Sequence, residues 1–517
     1  MHKSKSVLLL TLLIFVGIGL LALFLWGFST VVAIGHPVLY ALLTLSLLFK
    51  LVRLLFEWYH YTGIRTPKVP LTPAAKAYRV DMLTTACPGE PQEMIEETLR
   101  AMVAVDYPHT TYLCDEGNDP YLKALCQELG AVHVTRSSRT HAKAGNINNA
   151  LQQATGELCV ILDPDHVPSP DFLQKVLPHF DDPQTGYVQV VQAYKNQSES
   201  LVARGAAEQT YNFYGPYMNA MGQYGTAQAI GANCTFRREA LDSIGGHAPG
   251  LTEDMHTSML LHAKGWKSVY VPEIVSRGLV PSSLSAYYKQ QLKWSRGTFD
   301  LWFRVYPLIF RQLNWRQKLH HGLLPLYFLF GLITLIDVAV PVYALFSGDY
   351  PWHMDPLVFF AYYSPLLLCG LLIRQYAQRW LNEPHERGLH LIGGILRVGT
   401  WWIYITGFVY TLLNIKVPYI PTPKEHDTKN EVLLALPNLL LALLCVVAVI
   451  WGLERDWQPY SFLMAGFALF NALILFLAFA IGQSQWFAVV HSLDRLIRIP
   501  RFSFRWKFLF DPLARPA

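Results

Sequence analysis

Charge is scarce in this chain of 517 residues. Asp, Glu, Lys and Arg together supply 15%, against 52% for apolar and aromatic types. Soluble globular chains carry about a quarter charged residues, so a wholly water-exposed fold is excluded. The net charge is only +5. Nucleic-acid binders gather basic residues on one face, and nothing of that kind is present, so no nucleic acid is expected as a partner. Cysteine is sparse too. Cys87, Cys114, Cys126, Cys159, Cys234, Cys369 and Cys445 are scattered, and none forms a C-x-x-C pair. That excludes a disulfide framework and a zinc ribbon, and leaves buried free thiols in a reducing compartment. Repeats of solenoid period and long low-complexity tracts are also missing.

What the chain has instead is long apolar runs. Residues 8–26 form one, long enough to cross a hydrocarbon core of about 30 Å. Lys3 and Lys5 precede it, as they would in a signal peptide. Here no small-residue cleavage site follows, and a second run at 31–55 comes at once. Residues 1–60 are therefore expected to be two anchoring spans. Four more spans are expected at 323–346, 356–372, 432–451 and 462–481. The segment 391–413 is read as interfacial or re-entrant, because a full crossing would leave an odd number. Basic residues gather at Lys3 and Lys5, at 374–387 and at 495–507, whereas the connections near Asp349 and Asp456 hold fewer. The positive-inside rule then places both termini and the polar segment 66–280 on the cytoplasmic side of a plasma (inner) membrane.

Segment 66–280 reads as an α/β domain. Strands are expected at 79–85, 111–115, 131–135 and 157–163, and helices at 91–103, 119–129 and 142–154. Helices of this kind cover a mostly parallel sheet. Residues 281–316 are amphipathic and interleave Tyr287, Tyr288, Trp294, Phe299 and Trp302 with Lys289, Lys293, Arg296 and Arg304. That suits helices lying in a membrane interface. Residues 317–482 hold the later spans, and 483–517 form a basic tail.

Acidic residues are few, and their placement is informative. Asp163-Pro164-Asp165 follows the apolar strand Val160-Ile161-Leu162. Two carboxylates there suit a hard divalent cation, although such a pair alone often marks a surface turn. Asp115 ends an earlier strand in Leu113-Cys114-Asp115-Glu116-Gly117. It is either a ligand contact at the carboxyl end of a strand or a turn residue beside Gly117. His141-Ala142-Lys143-Ala144-Gly145-Asn146 opens a helix, and a lysine there is a good anion seat. Thr252-Glu253-Asp254 begins another helix, which Thr252 is placed to cap. Gln290-Gln291-Leu292-Lys293-Trp294 lies in the amphipathic segment.

The order and spacing of these motifs resemble the processive inverting glycosyltransferases of family 2, the cellulose, curdlan, mixed-linkage glucan, chitin and hyaluronan synthases. The resemblance runs from Arg79 to about Lys424. It implies a cytoplasmic α/β domain of GT-A fold inserted in an α-helical transmembrane channel. It implies a UDP-sugar donor, a growing polysaccharide as acceptor, and Mg²⁺ or Mn²⁺ held through Asp165. Asp254 is implied as the general base. Asp115, Lys143, Asp163, His166, Glu253, Gln290, Lys293, Trp294 and Arg296 are implied to contact donor or acceptor. Within the loop 417–430, Tyr419 to Lys424 resembles a gating loop, with Thr422 and Lys424 matching. Residues 228–238 resemble an acceptor-side loop. Departures are Glu116 for the usual aspartate, Lys293 for arginine, and Tyr419 and Pro421 in the gating loop. Lysine keeps the charge and loses the bidentate fork, which Arg296 is placed to replace. UDP-glucose is favoured over UDP-N-acetylglucosamine, because residues 141–146 look most like bacterial cellulose synthases. Those synthases carry a cyclic-di-GMP receptor domain. The tail after Ile481 is too short for one, so no regulation by that route is expected. The rival readings are a chitin- or hyaluronan-type synthase, a non-processive lipid glycosyltransferase, and a catalytically degenerate membrane transport component.

Overall fold

The computed structural model describes residues 2–65, 73–417, 429–483 and 485. The α/β domain is built on seven strands: β1 Val80–Ala86, β2 Thr110–Asp115, β3 Val132–Val134, β4 Leu158–Leu162, β5 Thr185–Val190, β6 Cys234–Arg237 and β7 Lys267–Val271. Their order is β7-β5-β6-β4-β1-β2-β3. All neighbours pair in parallel except β6, which runs antiparallel to β4 and to β5. A sheet covered on both faces needs strands apolar on both faces. Every residue of β1 and β4 is buried. Val80, Met82, Val160 and Leu162 pack on one side with Phe172 and Leu173. Leu83, Cys159 and Ile161 pack on the other with Ile147, Leu151 and Phe236.

The first four strands and three helices lie within a few residues of their expected positions. Helix Pro120–Leu129 shows why. Asp119 accepts from the Tyr121 and Leu122 nitrogens, proline occupies the first turn, and left-handed Gly130 ends it. Those are a cap, a start and a stop legible in sequence. The reversed strand β6 carries no such signal. Neither does a second sheet, in which Ser276–Gly278 lies between Val167–Pro168 and Ala193–Tyr194.

Among the described residues, six helices are long and apolar enough to cross a membrane: Ser6–Val31, Pro37–Gly63, Leu326–Ser347, Pro356–Trp380, Val432–Arg455 and Pro459–Ile481. The chain is a multi-pass membrane protein. The second helix starts at Pro37, not at residue 31, because Ala33–Ile34 pairs with Trp352–His353 and His36 caps the next turn. Tyr350 in turn bonds Asp456 and Ser461. The connections 32–36, 348–355 and 456–458 thus meet at one end of the helical bundle.

The segment read as interfacial or re-entrant forms two helices, Leu391–Gly399 and Trp401–Leu412, bent by 47°. One end rests on the α/β domain, where the Gly393 nitrogen donates to Glu208 at 2.8 Å. The other end returns to the amphipathic helix Leu284–Asp300, where Arg296 Nε donates to the Ile415 carbonyl at 3.2 Å. The two ends of the pair thus contact the α/β domain and the amphipathic helix. The amphipathic segment is itself divided, by a wide turn at Leu301–Val305, and a separate helix Trp315–Leu323 follows.

Gly407 marks the tightest point of this assembly. A Cβ there would strike Ser295 Oγ and lie 3.2 Å from the Arg296 nitrogen, whereas a Cβ on Gly394 meets nothing within 4 Å. Overpacking of this kind costs about 1–3 kcal/mol. Gly407→Ala is expected to lower the thermal midpoint of detergent-purified protein by several degrees, and Gly394→Ala to hold or raise it. Equal midpoints for the two variants would contradict this packing.

Candidate active site

Asp115 ends β2, and Asp163 and Asp165 follow β4, so all three lie at the carboxyl ends of parallel strands. Lys143 approaches from helix Ala142–Leu151. The turn before it is unusual, since His141 and Ala142 both take positive φ. That turn is wrapped by Arg136, which donates to the Ala142 carbonyl at 2.9 Å and to Glu116 at 2.9 Å. Asn146 then ties the helix to β2 through the Cys114 carbonyl, at 2.8 Å. These bonds aim Lys143 at the strand ends.

Lys143 is buried, and its ammonium joins three motifs. It contacts the Asp163 carboxylate directly. It donates to the Gly231 carbonyl at 2.8 Å and lies 3.8 Å from Glu253 Oε1. Burial alone would depress its pKa, but Asp163 and Glu253 more than offset that and raise it. Gly231 has φ +68, and a Cβ there would sit 3.0 Å from Asp254 Oδ2. Only glycine lets the backbone come this close to that carboxyl in a left-handed conformation.

Asp254 lies near enough to Asp163 to feel its charge. Burial, then the Glu253 carboxylate, push its carboxyl up to about 7; the Met255 N–H and Lys143 pull the other way. Thr252, placed to cap this helix, makes no cap hydrogen bond. It packs against Gly297 of helix Leu284–Asp300, 2.8 Å from a Cβ built there. Gln290, Lys293, Trp294 and Gly297 share one helix face by their spacing. Trp294 is 36% exposed, and Gln290 and Lys293 are half-buried. The signature helix therefore meets, at Gly297, the start of the helix that carries Asp254.

Asp163, Asp165 and His166 each offer one atom, and the three atoms lie within 4.8 Å of one another. Asp165 Oδ2 accepts from the Leu279 nitrogen at 3.0 Å, and His166 Nδ1 lies 3.3 Å from Oδ1. The His166 ring is held flat by Gly278, where any Cβ would collide with it. Each carboxylate oxygen has two lone pairs, so one hydrogen bond leaves room for a cation. Two carboxylates and an imidazole fit a divalent ion.

Other expected residues are used differently. Asp115 accepts from Gly117 N at 2.8 Å, from Asp119 N at 2.7 Å and pairs with His133 at 2.9 Å. Its carboxylate thus builds the turn. Arg296 does not replace the missing arginine fork. It is buried against Asp300 and the Ile415 carbonyl, which fixes the helix to the re-entrant pair. Thr422 and Lys424 fall outside the described residues. Gly231 lies in the expected acceptor-side loop 228–238, and its carbonyl bond to Lys143 was unforeseen, as was Gln192, which holds His166 Nε2 at 3.2 Å. Glu431 was also unforeseen; it caps the signature helix at the Leu284 and Ser285 nitrogens, at 2.5 and 2.9 Å.

Because Lys143 holds the Asp254 carboxyl down, Lys143→Met is expected to lift it further. A carboxyl raised in the folded state costs stability as pH climbs toward its folded pKa. The gap in thermal midpoint between parent and variant should therefore widen from about pH 6 to about pH 9. A gap independent of pH would contradict the contact.

Two family profiles match the chain. Residues 83–297 match the one described as Glycosyltransferase like family 2, and residues 233–382 the one described as Cellulose synthase. Cellulose synthase 2 of Novacetimonas hansenii is 26% identical over 84% of this chain and 28% of its own length. The UDP-forming cellulose synthase catalytic subunit of Pseudomonas fluorescens (strain SBW25) is 29% identical over 58% of this chain and 42% of its own length. That of Xanthomonas axonopodis pv. citri (strain 306) is 31% identical over 48% and 35%. The chain thus spans well under half the length of these relatives. Among solved structures, the mannosyltransferase PcManGT of Pyrobaculum calidifontis, in complex with GDP-Man and Mn²⁺, superposes with a TM-score of 0.51 at 19% identity. The match covers 73% of this chain and 100% of that one. This likeness shows the GT-A fold. The chain belongs to the cellulose synthase-like family 2 glycosyltransferases.

Proposed function

We propose that this protein is a processive inverting β-glucan synthase. It takes glucose from UDP-glucose, adds it to a growing polysaccharide and passes the chain through its own helices. One observation carries this reading. Lys143 brings Asp163, the Gly231 carbonyl and Glu253 together beside the Asp254 carboxyl. Cation site, acceptor loop and base are thereby held in one place.

Asp163, Asp165 and His166 would hold Mg²⁺ or Mn²⁺. When bound, the ion supplies positive charge for the leaving diphosphate. Lys143 lends a fixed ammonium on the same side. Asp254 takes the proton from the acceptor hydroxyl as that oxygen attacks the anomeric carbon from the face opposite the diphosphate. One such displacement inverts an α-linked donor to a β-linked product. A general base works best with a pKa near the working pH, and burial and the Glu253 carboxylate raise Asp254 in that direction. Trp294 offers an apolar face to the terminal sugar, with Gln290 and Lys293 beside it. Glu253 steadies Lys143, and Asp115 shapes the nucleotide end of the pocket through its turn.

The α/β domain and both termini face the cytoplasm in this reading. Support comes from the basic segment 374–387 and from the meeting of connections 32–36, 348–355 and 456–458 at one end of the bundle. The return of the bent helix pair to its own side keeps the crossings even. Described residues on either side of 418–428 contact the two ends of the signature helix, through Ile415 with Arg296 and Glu431 with Leu284. The gating role of Thr422 and Lys424 rests on the resemblance of their sequence. The UDP-forming relatives favour a UDP-sugar.

Asp254→Asn is expected to lower sugar transfer by about 10²–10⁴-fold, the usual weight of a general base. UDP affinity, measured by titration calorimetry with Mn²⁺, should stay within about twofold, because this carboxyl is given no nucleotide contact. Near-normal synthesis in that variant would reject the base. In the same titration, Asp165→Ala should remove most of the difference between UDP binding with and without the ion. An undiminished metal dependence would reject Asp165 as a ligand.

A further inference from the structure

Helix Trp315–Leu323 ends with two histidines, and neither faces solvent. His320 and His321 are each 2% exposed. Both reach into the α/β domain. His321 Nε2 lies 3.0 Å from His262 Nδ1, and His321 Nδ1 lies 3.4 Å from Gln228 Nε2. His262 Nε2 lies 3.1 Å from the Tyr187 hydroxyl and 3.0 Å from Ser268 Oγ. Tyr187 donates to the Ala227 carbonyl at 2.5 Å, and Ser258 Oγ donates to Gln228 Oε1 at 3.2 Å. His320 Nδ1 pairs with Thr226 Oγ1, and its ring stacks on His60 of the second apolar helix, with centroids 4.9 Å apart.

With the Gln228 amide set so that Oε1 accepts from Ser258 Oγ, one arrangement of protons satisfies these bonds. Gln228 Nε2 can only donate, so His321 Nδ1 accepts. His321 Nε2–H then donates to His262 Nδ1, and His262 Nε2–H donates to Tyr187 or Ser268. The Tyr187 proton goes to Ala227. The path leaves residue 228 and comes back at residue 227. Burial holds both His262 and His321 far below the ordinary imidazole pKa, in keeping with neutral rings.

Three consecutive residues, Thr226, Ala227 and Gln228, are thus held from helix Trp315–Leu323, and they precede Gly231 by a short step. Gln189 fixes the step between, accepting from Ile230 N at 2.9 Å and donating to the Ala232 carbonyl at 2.9 Å. His262 closes the helix Glu253–Ala263, whose first turn carries Asp254. The same imidazole pair therefore grips the acceptor-side loop and the far end of the base's helix. A core of apolar side chains would fill this space without fixing any register. A directional chain of hydrogen bonds fixes one.

We infer that His321, acting through Gln228 and His262, is a positioning residue for sugar transfer: it sets the loop at Gly231 and the Asp254 helix in one register with helix Trp315–Leu323. The inference rests on the proposed roles of Asp254 and residues 228–238. The pair touches neither the cation site nor Lys143, so donor binding should be spared.

The test uses the full chain in lipid nanodiscs with UDP-glucose and Mn²⁺. UDP affinity, UDP release and glucose incorporation are measured together. His321→Leu should leave UDP affinity within about twofold and lower the polymerisation kcat between about tenfold and a hundredfold, the scale of a small misplacement of reacting groups. Incorporation should fall more than UDP release. His321→Asn keeps an acceptor where Nδ1 stood and should recover part of the rate; His321→Gln, which reaches only toward His262, should recover less. Gln228→Met removes the same bond from the loop side. Its effect should match that of His321→Leu and not add to it in the double variant. A folded His321→Leu protein with unchanged kcat overturns the inference, and so does a parallel loss of UDP affinity, which marks a general structural role. If His321→Leu does not fold, Gln228→Met decides by the same readings. An active Asp254→Asn variant would instead strike down the reading of the site, and the link with it.

Discussion

A single buried ammonium organises this protein. Lys143 comes from a helix that a strained turn aims at the strand ends. A lone charge in such a place is costly, and the cost is met by Asp163, the Gly231 carbonyl and Glu253. Those partners come from three separate stretches of the chain. Each is at the business end of its own motif. Without the ammonium, the Asp163, Glu253 and Asp254 carboxyls would face one another across a buried space. The pKa of Asp254 follows from the same balance, since its neighbours raise it and Lys143 limits the rise.

The membrane part is fitted to this centre through one helix. Leu284–Asp300 is capped by Glu431, packs Gly297 on Thr252 and Ser295 on Gly407, and bonds Ile415 through Arg296. Its neighbours before and after the undescribed stretch 418–428 therefore meet at its two ends. A bidentate pair adds a second clamp, with Arg277 donating to Glu383 at 3.0 and 2.7 Å. The α/β domain and the helical bundle are joined by polar contacts of defined geometry as well as by apolar packing.

Much of this was legible in the sequence, and the reasons are local. The apolar run before Asp163 announces a buried strand, and its end announces the carboxylates. Asp119, Pro120 and Gly130 announce a helix by its cap, start and stop. The apolar helices are legible because the bilayer demands length and little else. What escaped notice depends on long-range contact. Residues 143 and 231 are far apart, and nothing near either one signals the bond. The antiparallel strand Cys234–Arg237 looks like any short strand until its neighbours are known. Arg296 beside Trp294 resembled a phosphate contact, yet Asp300 one turn on is a nearer partner. Helix Trp315–Leu323 was merged into its surroundings, and its histidines follow no apolar period that would mark them as buried.

The account is tested most directly by the product. Purified full chain in lipid nanodiscs, given Mg²⁺ or Mn²⁺ and each of UDP-glucose and UDP-N-acetylglucosamine in turn, can be assayed for released UDP and for product size and linkage. The expected result is one UDP released per sugar added, and a long β-linked glucan from UDP-glucose. A single sugar placed on a lipid, a polymer made only from UDP-N-acetylglucosamine, or no UDP released from any donor would contradict it.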